Sequence, residues 1–312
     1  MAHARRFRFG IQVHGASSGK EWADMARRAE DLGYATLVMP DHFGDQIAPV
    51  PGLMAAADAT TTLRIGTLVF DNDYKHPVVL AKEVASLDVL SGGRVELGIG
   101  AGWMSSDYEQ SGIPEDRAAV RVDRMEEGIA VLKGLFAEGA CTFAGEHYRI
   151  SGLDGMPKPV QSPHPPILIG GGKRRVLQIA GREADIVGIN PTMPNGAADA
   201  DAARTGLAAE TDKKLEWIRE GAGERFEDLE INLLTFACMV TDDREDLIDK
   251  VAPAFGLSPP DVASFPHALI GSIDQICETL EGRRERWHAS YIVVQQDAME
   301  SMAPVVARLA GG

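Results

Sequence analysis

The feature of this sequence that most restricts its fold is a regular alternation of short apolar runs with longer segments of helical periodicity. Eight runs have the length and composition of buried strands. They are Arg8–Val13, Thr36–Met39, Leu63–Phe70, Arg94–Ile99, Ile167–Ile169, Asp185–Ile189, Glu230–Val240 and Ser290–Val294. Strands that alternate with helices form a parallel sheet, because each parallel crossover needs a connection long enough to return the chain.

Helical spacing of apolar residues predicts helices between the strands and one more after the eighth strand. They are Lys20–Leu32, Leu53–Thr60, Val78–Leu90, Arg117–Glu138, Arg175–Arg182, Ala208–Glu220, Arg244–Ala254, Ile273–Trp287 and Glu300–Leu309. This alternation favours an α/β fold of the (β/α)8 TIM-barrel type, with an open doubly wound sheet as the alternative. We expect residues 1–312 to form one such domain, since a single barrel commonly has this length.

Two connections are longer than a minimal barrel requires. The insertion after the fourth strand, Ala140–Pro166, ends in a proline-rich stretch, and we expect it to form a small hairpin and a covering loop. The insertion after the sixth strand, Asn190–Thr205, is rich in Gly, Ala, Asp and Pro. We expect this second insertion to be an irregular, mobile lid.

Composition restricts the partners of the chain. Its 46 acidic and 31 basic residues give a formal net charge of −15, which repels nucleic acid and anionic membranes. The sequence has neither a segment that approaches ~20 uninterrupted apolar residues nor a secretory signal pattern. Cys141, Cys238 and Cys277 are widely spaced among apolar residues, as expected for reduced thiols in a cytoplasmic protein.

An aspartate and a histidine, Asp41 and His42, follow the second predicted strand. In a (β/α)8 barrel the carboxyl ends of the strands form the rim of the active site. Histidine titrates near neutrality and can exchange a proton beside a redox cofactor, while Asp41 orients the imidazole or bonds the cofactor. The alternative is that Asp41 caps a turn and that His42 is a partly exposed loop residue.

Three glycines, Gly170, Gly171 and Gly172, connect the fifth predicted strand to a basic helix start at Lys173, Arg174 and Arg175. Glycines let the backbone approach a phosphate, and the amides at a helix N-terminus favour an anion. The sequence therefore predicts a phosphate site here. The alternative is a flexible turn with solvated basic side chains.

Other candidate ligand contacts lie at neighbouring strand ends. They are Leu68, Val69 and Asp71 at the third strand, Gly100, Gly102 and Trp103 at the fourth, and Asn190 at the sixth. Small residues at the fourth strand leave room for a flat ring, but on its own the pattern favours a strand packed tightly against a helix, with Trp103 as a core anchor. Paired cysteines and closely spaced histidines are missing from the sequence, so no metal site is predicted.

Five segments together resemble the luciferase-like monooxygenase superfamily, most closely its coenzyme F420-dependent branch. They are Asp41–Phe43, Leu97–Trp103, Pro157–Gln161, Gly170–Gly172 and Gly271–Asp274, and the resemblance extends from Arg8 to Val294. It implies a cofactor across the barrel mouth, with Asp41 and His42 facing its rings and a non-proline cis peptide at Leu68–Val69. It also implies that the cofactor phosphate lies on the three glycines beside Lys173 or Arg174.

The resemblance supports three hypotheses about function. The first is hydride transfer between coenzyme F420 and an unidentified small organic substrate, with His42 exchanging the proton and Lys173, Arg174, Arg175 and Arg182 binding the anionic tail. The second is an FMN-dependent monooxygenase that uses oxygen and flavin reduced by a partner reductase. The third is a non-catalytic barrel that binds or stores a flavin, or that has lost it altogether.

The resemblance also implies a homodimer. One departure from the family concerns the substrate: the deazaflavin-dependent dehydrogenases that resemble this chain place a glutamate and an asparagine after the fourth strand. This sequence has Ala101 and Trp103–Ser105 there, so a sugar-phosphate substrate is not implied.

Overall fold

A computed structural model describes residues 5–311, and within them eight parallel strand positions close into a barrel. The strands in chain order are β1 (Arg8–Gln12), β2 (Thr36–Met39), β3 (Arg64–Thr67), β4 (Phe70–Asp71), β5 (Val95–Gly100), β6 (Ala140–Ala144), β7 (Arg149–Asp154), β8 (Ile167–Gly171), β9 (Ile186–Ile189), β10 (Glu230–Leu234), β11 (Ala237–Val240), β12 (Ala268–Gly271) and β13 (Ala289–Gln295). The barrel contains β1, β2, β3 with β4, β5, β8, β9, β10 and β13. Pairing of β3 with both β2 and β5, and of β1 with both β2 and β13, closes the ring, so the TIM-barrel prediction is confirmed.

Nine of the helices correspond to predicted ones, and three short helices were not predicted. The α-helices of the described residues, in chain order, are α1 (Gly19–Asp31), α2 (Pro49–Ala59), α3 (Pro77–Ser91), α4 (Ser105–Ser111), α5 (Ala118–Phe136), α6 (Arg174–Glu183), α7 (Ala200–Thr205), α8 (Ala208–Ala222), α9 (Arg244–Phe255), α10 (Pro259–Ala263), α11 (Ile273–Trp287) and α12 (Met299–Leu309). The unpredicted helices α4, α7 and α10 have seven residues or fewer, too few to show a helical period. The helix expected to begin at Leu53 begins at Pro49, where proline fits the first turn.

The core has two main layers. Apolar residues from the strands and from the inner faces of the helices form one continuous cluster around the barrel. A smaller cluster inside the barrel contains Val38, Leu168, Ile186, Tyr291 and Val293. Burial of each large apolar side chain stabilises the fold by about 1.5–3 kcal/mol, which explains why strands buried on both faces appear as near-continuous apolar runs.

Both predicted insertions are present. The first contains the antiparallel hairpin of β6 and β7, as expected. The second is not irregular throughout, because its last residues form α7, which Asp199 caps by accepting a hydrogen bond from the Ala202 amide. The third predicted strand is also interrupted: β3 and β4 are separated by Leu68–Val69, and that peptide bond is cis, as the resemblance implied.

The expectation of one continuous seventh strand over Glu230–Val240 is wrong. Strand β10 ends at Leu234, and β11 leaves the barrel to pair with β12, which was not predicted. The Phe236 amide donates to the carbonyl of His267, which draws the chain out of the barrel wall. Residues of β11, α9, α10 and β12 then pack in a separate apolar cluster.

Between residues 5 and 311, no helix is both long enough and apolar enough to cross a membrane. The three cysteines are unpaired; Cys141 and Cys277 are buried, and Cys238 is partly buried.

Candidate functional site

A cavity of about 930 Å³ opens at the carboxyl ends of the barrel strands. It is lined by every residue predicted for the site except Arg174. These are Asp41, His42, Leu68, Val69, Asp71, Gly100, Gly102, Trp103, Gly170, Gly171, Gly172, Lys173 and Asn190. Because they come from five strand ends, the closed barrel brings residues that are far apart in sequence to one place.

His42 is held by a carboxylate that the sequence did not indicate. Its Nδ1 lies 2.7 Å from Oδ2 of Asp107, on helix α4, and the Tyr74 hydroxyl donates to the same oxygen at 3.1 Å. A carboxylate at Nδ1 fixes the imidazole with its proton on that nitrogen and leaves Nε2 as the free ring nitrogen. The imidazole also meets the Trp103 ring edge to face, with centroids 5.4 Å apart.

Asp41 does not orient His42. Its Oδ2 accepts a hydrogen bond from the backbone amide of Asp71 at 3.3 Å, so the carboxylate ties the end of β2 to the end of β4. Burial raises the pKa of Asp41, and the negative charge of Asp107 adds to the shift. Asp107 therefore orients the imidazole, the role expected for Asp41, and Asp41 lines the cavity beside it.

Asp71 is the most perturbed carboxyl group of the cavity. Burial raises its pKa to about 7, and the charges of Asp73 and Asp41 act in the same direction. The Tyr108 hydroxyl lies 3.0 Å from Asp71 Oδ2 and 3.3 Å from Asp73 Oδ2. Arg124 neutralises Asp73 at 2.8 Å, so Asp71 remains without a cation of its own among the described residues. Asp71 is therefore largely protonated below neutral pH.

Close packing explains the glycines after the fourth strand. A Cβ on Gly100 would lie 2.8 Å from Cγ2 of Val69, and one on Gly102 would lie 1.9 Å from the Tyr108 hydroxyl. Gly102 also has a φ of +74°, which other residues rarely adopt. These two positions thus shape the cavity wall whether or not a ring lies against them.

Two helix N-termini line the end of the cavity where the glycine run lies. Helix α6 follows Gly172 and Lys173, and helix α5 follows Arg117; neither has a side chain that caps its first-turn amides. A Cβ on Gly172 would lie 2.6 Å from the carbonyl oxygen of Asn190, so glycine is required for the lid to start there. Uncapped amides beside a cation are a suitable donor set for a phosphate.

Of the four residues of the predicted basic cluster, Lys173 lines the cavity, whereas the three arginines pair with carboxylates at the surface and do not line it. Arg174 pairs with Glu220 at 2.9 Å and does not line the cavity, Arg175 pairs with Asp123, and Arg182 pairs with Glu126 at 2.5 Å.

Lys173 and Arg117 are the cavity-lining Lys and Arg residues without a carboxylate partner in the described chain. Arg121 also lines the cavity, but it pairs with Glu115. Lys173 and Arg117, with the amides of the two helices, fit a phosphate-bearing ligand. Nothing among residues 5–311 groups three His, Cys, Asp or Glu side chains as a metal site would.

A buried lysine joins the two ends of the lid. Lys214 is 2% exposed, and its Nζ donates to the carbonyls of Asn190 and Thr205, both at 2.7 Å. Burial lowers its pKa to about 8. Midway along the lid, the Gly196 carbonyl accepts from the Ser105 amide at 3.3 Å, so the lid reaches across the cavity to α4.

Four residues of the site were missed from the sequence: Asp107, Arg117, Lys214 and Phe236. Asp107 lies on a helix too short to predict, and Lys214 appeared only as one of two lysines in an amphipathic helix. Arg117 carried a local signal, because it starts a predicted helix after the fourth strand. Phe236 was assigned to the middle of a strand.

The family model for luciferase-like monooxygenases matches residues 3–306. This chain belongs to the luciferase-like monooxygenase family. Members of the family are F420-dependent or flavin-dependent oxidoreductases that act on small molecules. The recognised resemblance is therefore confirmed at the level of the family.

Relatives of both cofactor types are similar to this chain. An F420-dependent glucose-6-phosphate dehydrogenase of Amycolatopsis mediterranei is 28% identical over 211 residues, which are 65% of this chain and 59% of the relative. An FMNH(2)-dependent dimethylsulfone monooxygenase of Pseudomonas putida is 32% identical over 127 residues, 41% of this chain and 35% of the relative. Both matches span less than two thirds of the relative.

A solved structure with the same fold is the coenzyme F420-dependent tetrahydromethanopterin reductase of Methanopyrus kandleri. It has a TM-score of 0.77 and 18% identity, and the match covers 98% of this chain and all of that one. At this identity the likeness shows the fold.

Proposed function

We propose that this protein transfers a hydride between coenzyme F420 and a small organic substrate. The observation that carries the proposal is His42, which lines the cavity with Nδ1 bound to Asp107 and Nε2 left free. A group that exchanges one proton beside the transferred hydride is what the reduction of a carbonyl or the oxidation of an alcohol requires. The F420-dependent relative supports this choice of cofactor.

The residues of the cavity form two groups, one that would bind the cofactor phosphate and one that would exchange the proton. The amides that start α5 and α6, with Lys173 and Arg117, would hold the cofactor phosphate. Bound deazaflavin supplies a hydride at a ring carbon and does not readily activate oxygen. His42 would hold or deliver the proton at Nε2, and Asp107 keeps the imidazole in the required orientation.

The second candidate is oxygenation with FMN, and the neutralised basic cluster favours it. Arg174, Arg175 and Arg182 pair with carboxylates outside the cavity lining. Of the Lys and Arg side chains that line the cavity in the described chain, Arg121 pairs with Glu115, which leaves Lys173 and Arg117. Two cations suffice for one phosphate, whereas the oligoglutamate tail of F420 adds several carboxylates. This candidate requires reduced flavin, which a partner reductase would supply.

Paired fluorescence titrations of the purified protein with F420 and with FMN, at matched ionic strength, separate the two candidates. Selective F420 binding supports hydride transfer, and cofactor oxidation without oxygen uptake in a ketone screen would then confirm the reaction. Selective FMN binding with oxygen uptake supports the monooxygenase. Binding of neither cofactor contradicts both candidates and leaves the non-catalytic barrel.

We also propose a homodimer. Exposed apolar side chains concentrate on α3 and the nearby loop, with Leu90 at 68%, Val160 at 60% and Met156 at 59% exposed. Lys82 on α3 donates to the Met156 carbonyl, so these two elements form one face. An apolar face of this kind is typical of a protein interface. Light scattering tests this proposal: the native protein should be a dimer, and Leu90→Glu should dissociate into monomers.

Two further expectations stay proposals. The first is that residues 1–312 form one domain, and the second is a location in the cytoplasm. Limited proteolysis and cell fractionation test them.

A further inference from the structure

The break in the seventh strand presents an aromatic side chain to the cavity. Strand β10 ends at Leu234, and two residues later Phe236 lines the cavity with 39% of its surface exposed. A continuous strand would have kept this segment in the barrel wall. The backbone instead leaves the wall at Thr235, whose amide donates to the Val293 carbonyl at 2.8 Å.

His267 holds the segment in this position by three contacts. Its Nδ1 donates to the Leu234 carbonyl at 2.8 Å, and its own carbonyl accepts from the Phe236 amide at 2.7 Å. Its imidazole stacks on the Phe236 ring, with centroids 5.2 Å apart and planes inclined by 26°. Phe265 meets the imidazole edge to face at 5.3 Å, so the stack has support behind it. These contacts thus support one face of the exposed ring.

His267 is fully buried and uncharged. Burial lowers its pKa to about 3, and the cations Lys214 and Arg283 add to this effect. The stack therefore joins two neutral rings near neutral pH, and its geometry presents one aromatic face to the cavity.

The same side of the cavity lacks cations. The ends of β1, β2 and β10 contribute Gln12, His14, Pro40, Leu234 and Phe236, and the described lining includes no lysine or arginine from these strands. Lys173 and Arg117 lie instead at the starts of α6 and α5. Without a lysine or arginine to pair with, an anionic substrate would bury an uncompensated charge on this side of the cavity.

We infer that Phe236 is a substrate-binding residue whose ring stacks on uncharged, planar, ring-containing ketones or alcohols, and that His267 is its positioning residue. This inference rests on the proposed function, in which the cofactor occupies the end of the cavity with the cations and leaves the Phe236 side to the substrate. Offset stacking of two aromatic rings adds about 0.5–1.5 kcal/mol to the burial of their surfaces.

The test uses three probes and equilibrium dialysis against the full chain, with and without cofactor. The probes are 2-acetylnaphthalene, its anionic counterpart 2-naphthoate, and the flexible neutral ketone 2-undecanone. We expect 2-acetylnaphthalene to bind most tightly. Phe236→Leu keeps an apolar side chain but removes the ring, so it should weaken that binding about tenfold and leave 2-undecanone within about twofold. Phe236→Tyr keeps the ring and should retain the binding.

His267→Asn keeps a donor for the Leu234 carbonyl but removes the stacking ring. It should weaken 2-acetylnaphthalene binding as Phe236→Leu does, without a change in cofactor affinity. Phe143→Leu, on the β6–β7 hairpin and outside the cavity lining, is the matched control and should change neither. If His267→Asn does not fold, the Phe236 variants decide the inference alone.

Equal binding of 2-acetylnaphthalene to Phe236→Leu and to the native protein would overturn the inference, as would binding of 2-naphthoate as tight as that of the ketone. Failure of the proposed function is distinguishable, because it appears in the native protein as FMN-selective cofactor binding or as absent cofactor binding. The dialysis without cofactor still reports on Phe236 in that case.

Discussion

Nδ1 of His42 and Oδ2 of Asp107 lie 2.7 Å apart, although the two residues are 65 positions apart in sequence. The contact joins the end of the second barrel strand to a helix that follows the fourth. It selects one orientation and one tautomer of the imidazole. The proposed proton exchange therefore depends on a carboxylate that lies on a helix and not at the end of a strand.

Asp107→Asn should lower turnover about 10-fold to 100-fold, because an amide of the same shape no longer holds the imidazole as a carboxylate does. The cofactor affinity should remain within about twofold, since Asp107 does not line the cavity. Steady-state kinetics and a cofactor titration on the same preparation measure both quantities.

Tyr74→Phe provides the comparison, because it removes the second hydrogen bond to Asp107 and leaves the contact with His42 in place. Its turnover should fall less than that of Asp107→Asn. Native turnover in Asp107→Asn would show that His42 needs no carboxylate.

Lys173→Ala and Arg117→Ala should each weaken cofactor binding about 5-fold to 20-fold, since each removes one charge-assisted contact with the phosphate. The loss should shrink as salt is added, because salt screens the contact. Arg174→Ala is the matched control: it removes the neighbouring positive charge, but Arg174 pairs with Glu220 outside the cavity lining. If Arg174→Ala weakens binding as much as Lys173→Ala, the site has been assigned to the wrong residues.

Asp71→Asn should stabilise the protein at pH 8 by about 2–4 kcal/mol, since the folded state there holds a buried carboxylate whose pKa is raised to about 7. The folded protein binds a proton between about pH 4 and 7 that the unfolded chain has released. The stability that this proton contributes is present below pH 4 and is lost as the pH rises through 7. The gain from Asp71→Asn should therefore grow between pH 4 and 7 and then stay constant.

Urea unfolding at pH 4.5, 6 and 8 measures this difference. Asp73→Asn is the control, because it removes the ion pair with Arg124 and should destabilise the protein. A loss of stability at pH 8 in Asp71→Asn would mean that its carboxylate is held more favourably than the neighbouring charges indicate.

Lys214→Met should loosen the lid, because the carbonyls of Asn190 and Thr205 lose their shared donor. Hydrogen–deuterium exchange of the amides in residues 191–204 should rise about tenfold or more, as expected for the loss of a hydrogen bond to a charged group. Lys213→Met is the matched control, since Lys213 is exposed and pairs with Glu210 on its own helix. Unchanged exchange in Lys214→Met would show that the lid is held elsewhere.

Local sequence patterns predicted the barrel because each of its strands is buried on both faces and therefore continuous in apolar residues. Where the structure departs from the predicted strands, the cause is a contact with residues that are distant in sequence. The seventh strand breaks at Thr235 because of contacts from His267, and β12, which follows His267, has only four residues. No window of sequence around Thr235 contains that information.

The same distinction applies to the candidate site: local patterns located some of its residues, and contacts distant in sequence determine the others. Strand ends located His42 and the glycine run, because the carboxyl ends of parallel strands meet at one rim. The state of the basic cluster was not predictable, since the carboxylates that neutralise it belong to α5 and α8. Glu220 is 46 positions from Arg174, and Asp123 is 52 positions from Arg175.

The apolar cluster of β11, α9, α10 and β12 gives the segment that follows Phe236 a core of its own. Ala203 and Leu207, at the end of the lid, pack against the same cluster. One small core therefore supports both the lid and the strand break that presents Phe236. Substitutions inside residues 237–271 are thus expected to alter the substrate wall and the lid together.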